Sequence, residues 1–167
     1  MEITVTLVKE LRERTGASII ECKKALIEAG ANLEKAADIL KQQGLALAEK
    51  KATRVTAEGV IEAYIHPGGR IGAMVEVNCE TDFVARTAEF KELAHNLALQ
   101  IAATAPQFLS PDEIPPNINS DPKVACLLLQ PFIKDDNKTV QDIINDTIAK
   151  VGENIKIRRF ARFELSY

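Results

Sequence analysis

Three short helical patterns occupy the first forty-odd residues of the chain. Each pattern begins at a residue able to cap a helix and stops at a glycine. The pairs are Thr4 or Thr6 with Gly16, Ser18 with Gly30, and Asn32 with Gly44. Apolar residues of the second pattern, Ile19, Cys22, Ala25 and Leu26, are expected on one side of that helix. Helices this short are unstable alone in water, so we predict that they pack together as a small module over residues 1–45.

Residues 46–58 are helical in propensity and basic, but they lack an apolar stripe beyond Leu47 and are predicted to form a connector. A hairpin pattern follows, with a turn predicted at residues 67–70. Apolar positions of period two flank this turn, so each strand is expected to bury its apolar face. These positions are Ile61, Ala63 and Ile65 before the turn, and Ile71, Ala73, Val75, Val77 and Cys79 after it.

The remaining segments alternate between helical and extended patterns. A continuous apolar stripe from Phe90 to Ala102 predicts a long helix, and a Pro-, Asn- and Ser-rich loop follows at residues 107–119. A short helix is predicted from Asp121–Pro122, a polar turn at residues 134–138, and a last helix between Thr139 and Gly152. The predicted C-terminal strand has Ile155, Ile157, Ala161, Phe163 and Leu165 on one parity. Residues 59–167 are therefore predicted to form an α+β core with an antiparallel sheet.

Composition narrows the range of functions. The 167 residues carry a net charge of −3, which gives no general attraction to nucleic acid phosphates, so we expect protein partners and no direct nucleic acid binding. The sequence shows no secretory leader and no apolar run long enough to span a bilayer, so no membrane association is expected. Three widely spaced cysteines argue against a disulfide framework and a zinc site.

Candidate catalytic groups are sparse. The chain has no Gly-rich phosphate-binding loop, and its histidines, His66 and His95, fall at a hairpin turn and beside a helical stripe. Glu76 and Glu80 have no partner acid that the sequence identifies. No cluster of His, Cys and acidic residues has metal-ligand spacing. We therefore expect a protein that is not an enzyme and that has no metal or cofactor.

Several blocks resemble the elongation factor Ts family. The most specific one is the run ValAsnCysGluThrAspPheValAlaArg at residues 77–86. The others lie at residues 7–17, 22–26 and 151–159, and together they bracket nearly the whole chain in the family's order. The resemblance implies a ubiquitin-associated-like three-helix module, followed by a core with a three-stranded antiparallel sheet packed against helices.

The resemblance also implies a function. Such proteins bind elongation factor Tu, a GTPase that delivers aminoacyl-tRNA, and act as guanine nucleotide exchange factors that speed the release of its GDP. By resemblance, Asp82 and Phe83 insert near the magnesium and phosphate site of the GTPase, with Thr81 and Val84 beside them. Arg12 and Lys23 match positions expected at or near the contact between the N-terminal module and the GTPase.

The chain departs from longer family members, which carry two similar core halves and an inserted helical coiled coil. Residues 64–72, which include His66, resemble a motif from the second half of those members, and on this ground alone His66 is a candidate contact. Short members pair as homodimers, and we expect the same here. They occur in bacteria and in plastids, so we expect a cytoplasmic protein, with the plastid stroma as the alternative.

Phe83 has two opposed interpretations. It lies seven residues before Phe90 and so falls on the same helical stripe, and Phe residues are usually buried. Arg86 and Thr87 interrupt that stripe, and Asp82 suits a helix start, which places Phe83 in an exposed first turn. The family resemblance favours exposure. Two other functions remain open: a ubiquitin-associated-type or ribosome-associated adaptor without exchange activity, and an enzyme.

Overall fold

The N-terminal helices fold around a small core of their own. The computed structural model describes residues 3–166, beginning with α1 (Val5–Thr15), α2 (Ile19–Glu28) and α3 (Leu33–Lys51). Thr4, Ser18 and Asn32 cap these helices as predicted, and Ser18 and Glu21 form a capping box. The residues buried in this small core are Leu11, Cys22, Ala25, Leu26 and Ala36.

The third helix is longer than predicted. Gly44 does not end α3, which continues to Lys51 and takes in the first part of the predicted connector. A glycine lowers helix stability by only about 1 kcal/mol, and tertiary packing readily exceeds that. Here Gly44 lies beside Ala149 of the last helix, and Ala48 is buried in the main core. The predicted end at Gly44 was wrong because contacts distant in sequence extend the helix.

The rest of the described chain is an α+β core, as predicted. Its elements in chain order are β1 (Glu58–Ile65), β2 (Ile71–Cys79), α4 (Asp82–Ala85), α5 (Ala88–Thr104), α6 (Pro122–Ala125), β3 (Pro131–Phe132), β4 (Asp135–Thr139), α7 (Val140–Val151) and β5 (Ile155–Glu164). Strands β1, β2 and β5 form an antiparallel sheet in that order. Helix α5 packs on one face of the sheet, and α7 packs on α5 and α3. Of residues 134–138, predicted as a polar turn, Lys134 lies in the turn between β3 and β4, whereas residues 135–138 belong to β4.

The first strand presents the opposite face from the one predicted. Val60 and Tyr64 pack towards the core, whereas Ile61, Ala63 and Ile65 are exposed on the other face of the sheet. Strand β2 keeps the predicted parity, with Ala73, Val75, Val77 and Cys79 buried. Alternation alone does not say which face of a strand meets the core when both faces carry apolar residues.

A bulge reverses the parity of the last strand. Glu76 pairs with Arg159, but Val77 pairs with Ile157, so Arg158 is an extra residue opposite this step. Before the bulge Ile155 and Ile157 are buried, and beyond it Ala161 and Phe163 are exposed. The single parity predicted for this strand was therefore wrong, because one inserted residue shifts the alternation by one position.

Candidate functional site

The turn between β2 and α5 carries the most specific sequence block. Thr81 caps α4, and its hydroxyl oxygen accepts a hydrogen bond from the Val84 N–H at 3.4 Å. Asp82 is the first residue of α4, so the helix starts where the sequence predicted, with Thr81 as its cap. Phe83 therefore lies in the first turn, as expected.

Phe83 is exposed, as the family resemblance predicted. Its relative exposure is 77%, although the next two residues, Val84 and Ala85, are buried in the main core. A four-residue helix has no stability of its own, so these two buried side chains hold α4 against the body of the protein. Phe83 is consequently presented outward from a well-anchored segment. Val84 belongs to that anchor, and its side chain is buried.

Asp82 makes a local ion pair one turn along the helix. Its carboxylate lies 2.9 Å from the guanidinium of Arg86, and both side chains are substantially exposed. Exposed pairs of this kind contribute about 0–1 kcal/mol. The carboxylate therefore remains available to exchange Arg86 for a group of a partner at small cost.

A carboxylate from the turn between α7 and β5 holds the start of this turn. Glu153 accepts hydrogen bonds from the backbone N–H groups of Glu80 and Thr81 at 3.1 and 3.0 Å, and from the Thr81 hydroxyl at 2.6 Å. Glu153 was not among the site residues predicted from the sequence. Because more than seventy residues separate it from Thr81, no local spacing could have indicated the contact.

Glu80 is bound from two directions. Its carboxylate accepts a hydrogen bond from the Asn154 N–H at 2.7 Å and lies 3.5 Å from the guanidinium of Arg54. The hydrogen bond from Asn154 lowers the pKa of Glu80, and the charge of Arg54 adds to that effect. Glu80 is thus held as a carboxylate in a structural network and is poorly suited to act as a general acid.

Cys79 of strand β2 also forms a hydrogen bond with this turn. Its thiol donates to the carbonyl oxygen of Thr81, with Sγ 3.2 Å from that oxygen. Burial raises the pKa of Cys79 to about 11, and the negative charge of Glu153 contributes to the rise. The thiolate is therefore scarce at neutral pH, which disfavours a nucleophilic role. Cys22 and Cys126 are likewise buried and free.

The N-terminal candidates lie on exposed helix surface. Arg12 on α1 and Lys23 on α2 are both exposed. Lys23 lies between Ile20 and Ile27 on the outer side of α2, and Ile20 is 68% exposed. Ile19, predicted on the buried side, is also exposed. This apolar and basic surface was not predicted. The signal available in the sequence was the presence of isoleucines outside the stripe that contains Cys22 and Leu26.

His66 lies far from the Asp82–Phe83 turn. It follows β1 at the hairpin turn, where its Nδ1 lies 3.1 Å from the Tyr64 hydroxyl, while Cys79 ends β2 at the other end of the hairpin. Seven residue steps separate Gly72 from Cys79, or about 23 Å at the usual strand rise. The structure therefore does not bring His66 together with Phe83.

Neither a metal cluster nor a membrane-spanning helix is found in the described part of the chain. Among residues 3–166, no group of three or more His, Cys, Asp or Glu side chains is placed to hold a metal ion. Over the same residues, no helix is both long and apolar enough to cross a bilayer.

Comparisons with known proteins identify a family. The family described as Elongation factor TS matches residues 1–124. Proteins named elongation factor Ts from Desulforamulus reducens, Syntrophomonas wolfei and Thermotoga petrophila are 47%, 49% and 48% identical to this chain. The alignments cover 98%, 98% and 99% of this chain and 89%, 90% and 97% of the relatives. The first alignment extends over 194 residues, more than the 167 of this chain, so that relative carries residues without a counterpart here.

Proposed function

The chain belongs to the elongation factor Ts family, and we propose that it is a guanine nucleotide exchange factor for elongation factor Tu in translation elongation. The observation that carries the mechanism is the outward position of Phe83 on a short helix that is anchored in the core. In this proposal the chain acts by binding alone and performs no covalent chemistry. The bacterial relatives support a cytoplasmic location.

Exchange by binding follows from linkage. A protein that binds the nucleotide-free GTPase more tightly than the GDP-bound form must weaken GDP binding by the same ratio. Phe83 is proposed to enter the GTPase near its magnesium and phosphate site, with Asp82 orienting the turn. The exposed ring has apolar surface to bury, and only a contact that is stronger in the nucleotide-free state shifts the equilibrium.

The size of the Phe83 contribution is limited. Burying one Phe side chain contributes about 1.5–3 kcal/mol, which corresponds to a factor of roughly ten to a hundred. Faster exchange requires further contacts that discriminate between the two states. Arg12 and Lys23 are proposed to supply part of these, and the exposed Ile20 beside Lys23 offers the apolar area that charged groups alone lack.

A second copy of the chain is proposed to cover the open face of the sheet. Ala63, Met74 and Ala161 form one cross-strand row there, and Ile65, Gly72 and Phe163 form the next. Phe163 is 74% exposed and Met74 48% exposed, while α5 covers only the opposite face. Contiguous exposed apolar surface of this kind marks an interface, and a two-fold axis lets one such patch cover its equivalent. We therefore propose a homodimer formed through this sheet face.

Stopped-flow release of fluorescent GDP from elongation factor Tu tests the proposed function. Elongation factor Tu from one of the bacterial relatives is loaded with the fluorescent nucleotide and mixed with this chain and excess unlabelled GDP. We expect the release rate to rise with the concentration of the chain and then to saturate. Stable binding with an unchanged release rate would instead favour the adaptor function.

A further inference from the structure

Glu153 lies at the junction between the α7–β5 turn and the start of α4. All three of its hydrogen bonds go to residues 80 and 81, and Thr81 is the residue that caps α4. Glu153 therefore contacts the residue from which the helix bearing Phe83 begins. It reaches this residue from the opposite end of the core sequence, directly after the Gly152 cap of α7.

We propose that Glu153 is a positioning residue for nucleotide exchange, which holds the turn at residues 80–81 so that Phe83 is already in its docking orientation before the GTPase binds. This inference rests on the proposed exchange function. Glu153 acts through Thr81, and the proposal requires no contact between Glu153 and the nucleotide. Ordering the turn in advance reduces the conformational freedom that is lost on docking.

The chemistry of the contact calls for a carboxylate. Two backbone N–H groups and one hydroxyl donate to Glu153, so three donors converge on its two oxygens. An ionised carboxylate only accepts hydrogen bonds, whereas a carboxamide has one oxygen, which could still accept from both N–H groups, and an NH₂ group, which would face the Thr81 hydroxyl and force it to accept. Replacement of Glu153 by Gln keeps the size of the side chain and removes part of this match.

The neighbouring residues tie the same turn to the end of α3. The side chain of Asn154 donates to the carbonyl oxygens of Ala52 and Arg54, at 3.4 and 2.9 Å. The ammonium group of Lys51 donates to the carbonyl oxygen of Gly152. Residues 152–154 thus join the end of α3 to the start of α4. The turn that Glu153 holds is fixed to the body of the core from two sides.

A double-mutant cycle tests the positioning role. The proteins are the wild type, Glu153→Gln, Glu153→Ala, Phe83→Ala and the Glu153→Ala/Phe83→Ala double variant, with thermal unfolding used to confirm that each is folded. Glu113→Gln is the matched control, because the Glu113 carboxylate also accepts a backbone hydrogen bond, from the Leu109 N–H at 2.8 Å, in a different loop. The readouts are the maximal GDP release rate and the half-saturating concentration.

We expect Glu153→Ala to lower the maximal release rate about tenfold and Glu153→Gln to lower it less, with smaller changes in half-saturation. Glu113→Gln should match the wild type. In the Phe83→Ala background, the Glu153→Ala change should have little further effect, since the positioned ring is already absent. Independent losses that multiply in the double variant would overturn the proposal.

Amide hydrogen exchange on the isolated chain separates this inference from the exchange function. The Glu80 and Thr81 amides, which both donate to the Glu153 carboxylate, should exchange faster in Glu153→Ala than in the wild type, while amides of β2 stay protected. Unchanged protection at Glu80 and Thr81 would overturn the positioning role, whatever the GDP assay shows. If the wild type leaves GDP release unchanged while these amides respond, the proposed function fails and the structural contact stands.

Discussion

At the scale of single residues, buried and hydrogen-bonded neighbours hold the backbone at Phe83 in place while its ring is exposed. Val84 and Ala85 are held in the core, and Thr81 is bound by Glu153. An exposed Phe on a loose loop would adopt many orientations, and ordering it would consume binding free energy. Here the surrounding residues restrict the backbone while the ring stays free to contact a partner.

Phe83→Ala should reduce exchange more than it reduces complex formation. Loss of a buried ring in the nucleotide-free complex removes about 1.5–3 kcal/mol of differential binding, so we expect the maximal GDP release rate to fall roughly ten- to a hundredfold. Stopped-flow release measures this rate, and calorimetry measures the affinity of the complex. Val124→Ala, which truncates another exposed apolar side chain, serves as control. An unchanged release rate in Phe83→Ala would remove this ring from the mechanism.

The lowered pKa of Glu80 predicts a pH-dependent contribution to stability. Because the folded-state pKa lies below the ordinary value of 4.5, the stabilisation is present above that value and is lost as the pH falls through the folded pKa. Urea unfolding of the wild type and Glu80→Gln should therefore differ most near neutral pH and converge in the acid range. A difference that stays constant from pH 7 down to about pH 3 would contradict this assignment.

At the scale of secondary-structure elements, a glycine in helix α3 and a glycine in the sheet differ in whether their surroundings leave room for a side chain. Gly44 lies inside α3, and a Cβ placed on it would meet the Ala149 Cβ at 3.5 Å, an ordinary contact distance. Gly59 differs, because its φ is +153° and a Cβ placed on it would collide with the carbonyl oxygen of Val77 on the neighbouring strand. Only the second glycine is required by the fold.

Gly44→Ala should therefore stabilise the protein. The substitution removes the entropic disadvantage of glycine inside a helix, and we expect the free energy of unfolding to rise by about 0.5–1 kcal/mol. Gly59→Ala should lower it by more than that gain, since the added Cβ collides with backbone. Urea denaturation measures the free energy of unfolding of both variants. A loss of stability in Gly44→Ala would show that the α3–α7 contact has no room for a methyl group.

At the scale of the whole molecule, helix α3 connects the two hydrophobic clusters found among residues 3–166. The cluster around Leu11 and Leu26 lies among α1, α2 and the first half of α3. Ala48, in the second half of α3, is buried in the main core. One face of the sheet closes the main core, and the other leaves Met74 and Phe163 exposed. The division into a module over residues 1–45, a connector and a core remains a prediction, although the connector begins as helix.

Met74→Glu should convert the proposed homodimer to a monomer. Met74 lies on the central strand, between Ala63 and Ala161, and a carboxylate there would be buried without a partner in the two-fold interface. Light scattering coupled to gel filtration at micromolar concentration measures the mass. Val124→Glu adds the same charge at an exposed position outside the sheet and should leave the mass unchanged. A wild type that is itself monomeric would count against the homodimer.

The sequence by itself determined the features that depend on near neighbours. The capping boxes at Ser18 and Thr139, the glycine caps at Gly16 and Gly152, and the buried stripe of α5 require only residues within a few positions of one another. Through its resemblance to the family, the block at residues 77–86 likewise marked Asp82 and Phe83 as candidates, from a run of ten consecutive residues.

Only the tertiary structure decided features that join distant segments. The outward face of β1 and the bulge at Arg158 depend on which strand lies beside which, and Glu153 reaches Thr81 across the core. Hydrophobic burial is nondirectional, so alternation marks two faces without choosing between them, and a hydrogen bond across roughly seventy residues leaves no periodic trace in the sequence.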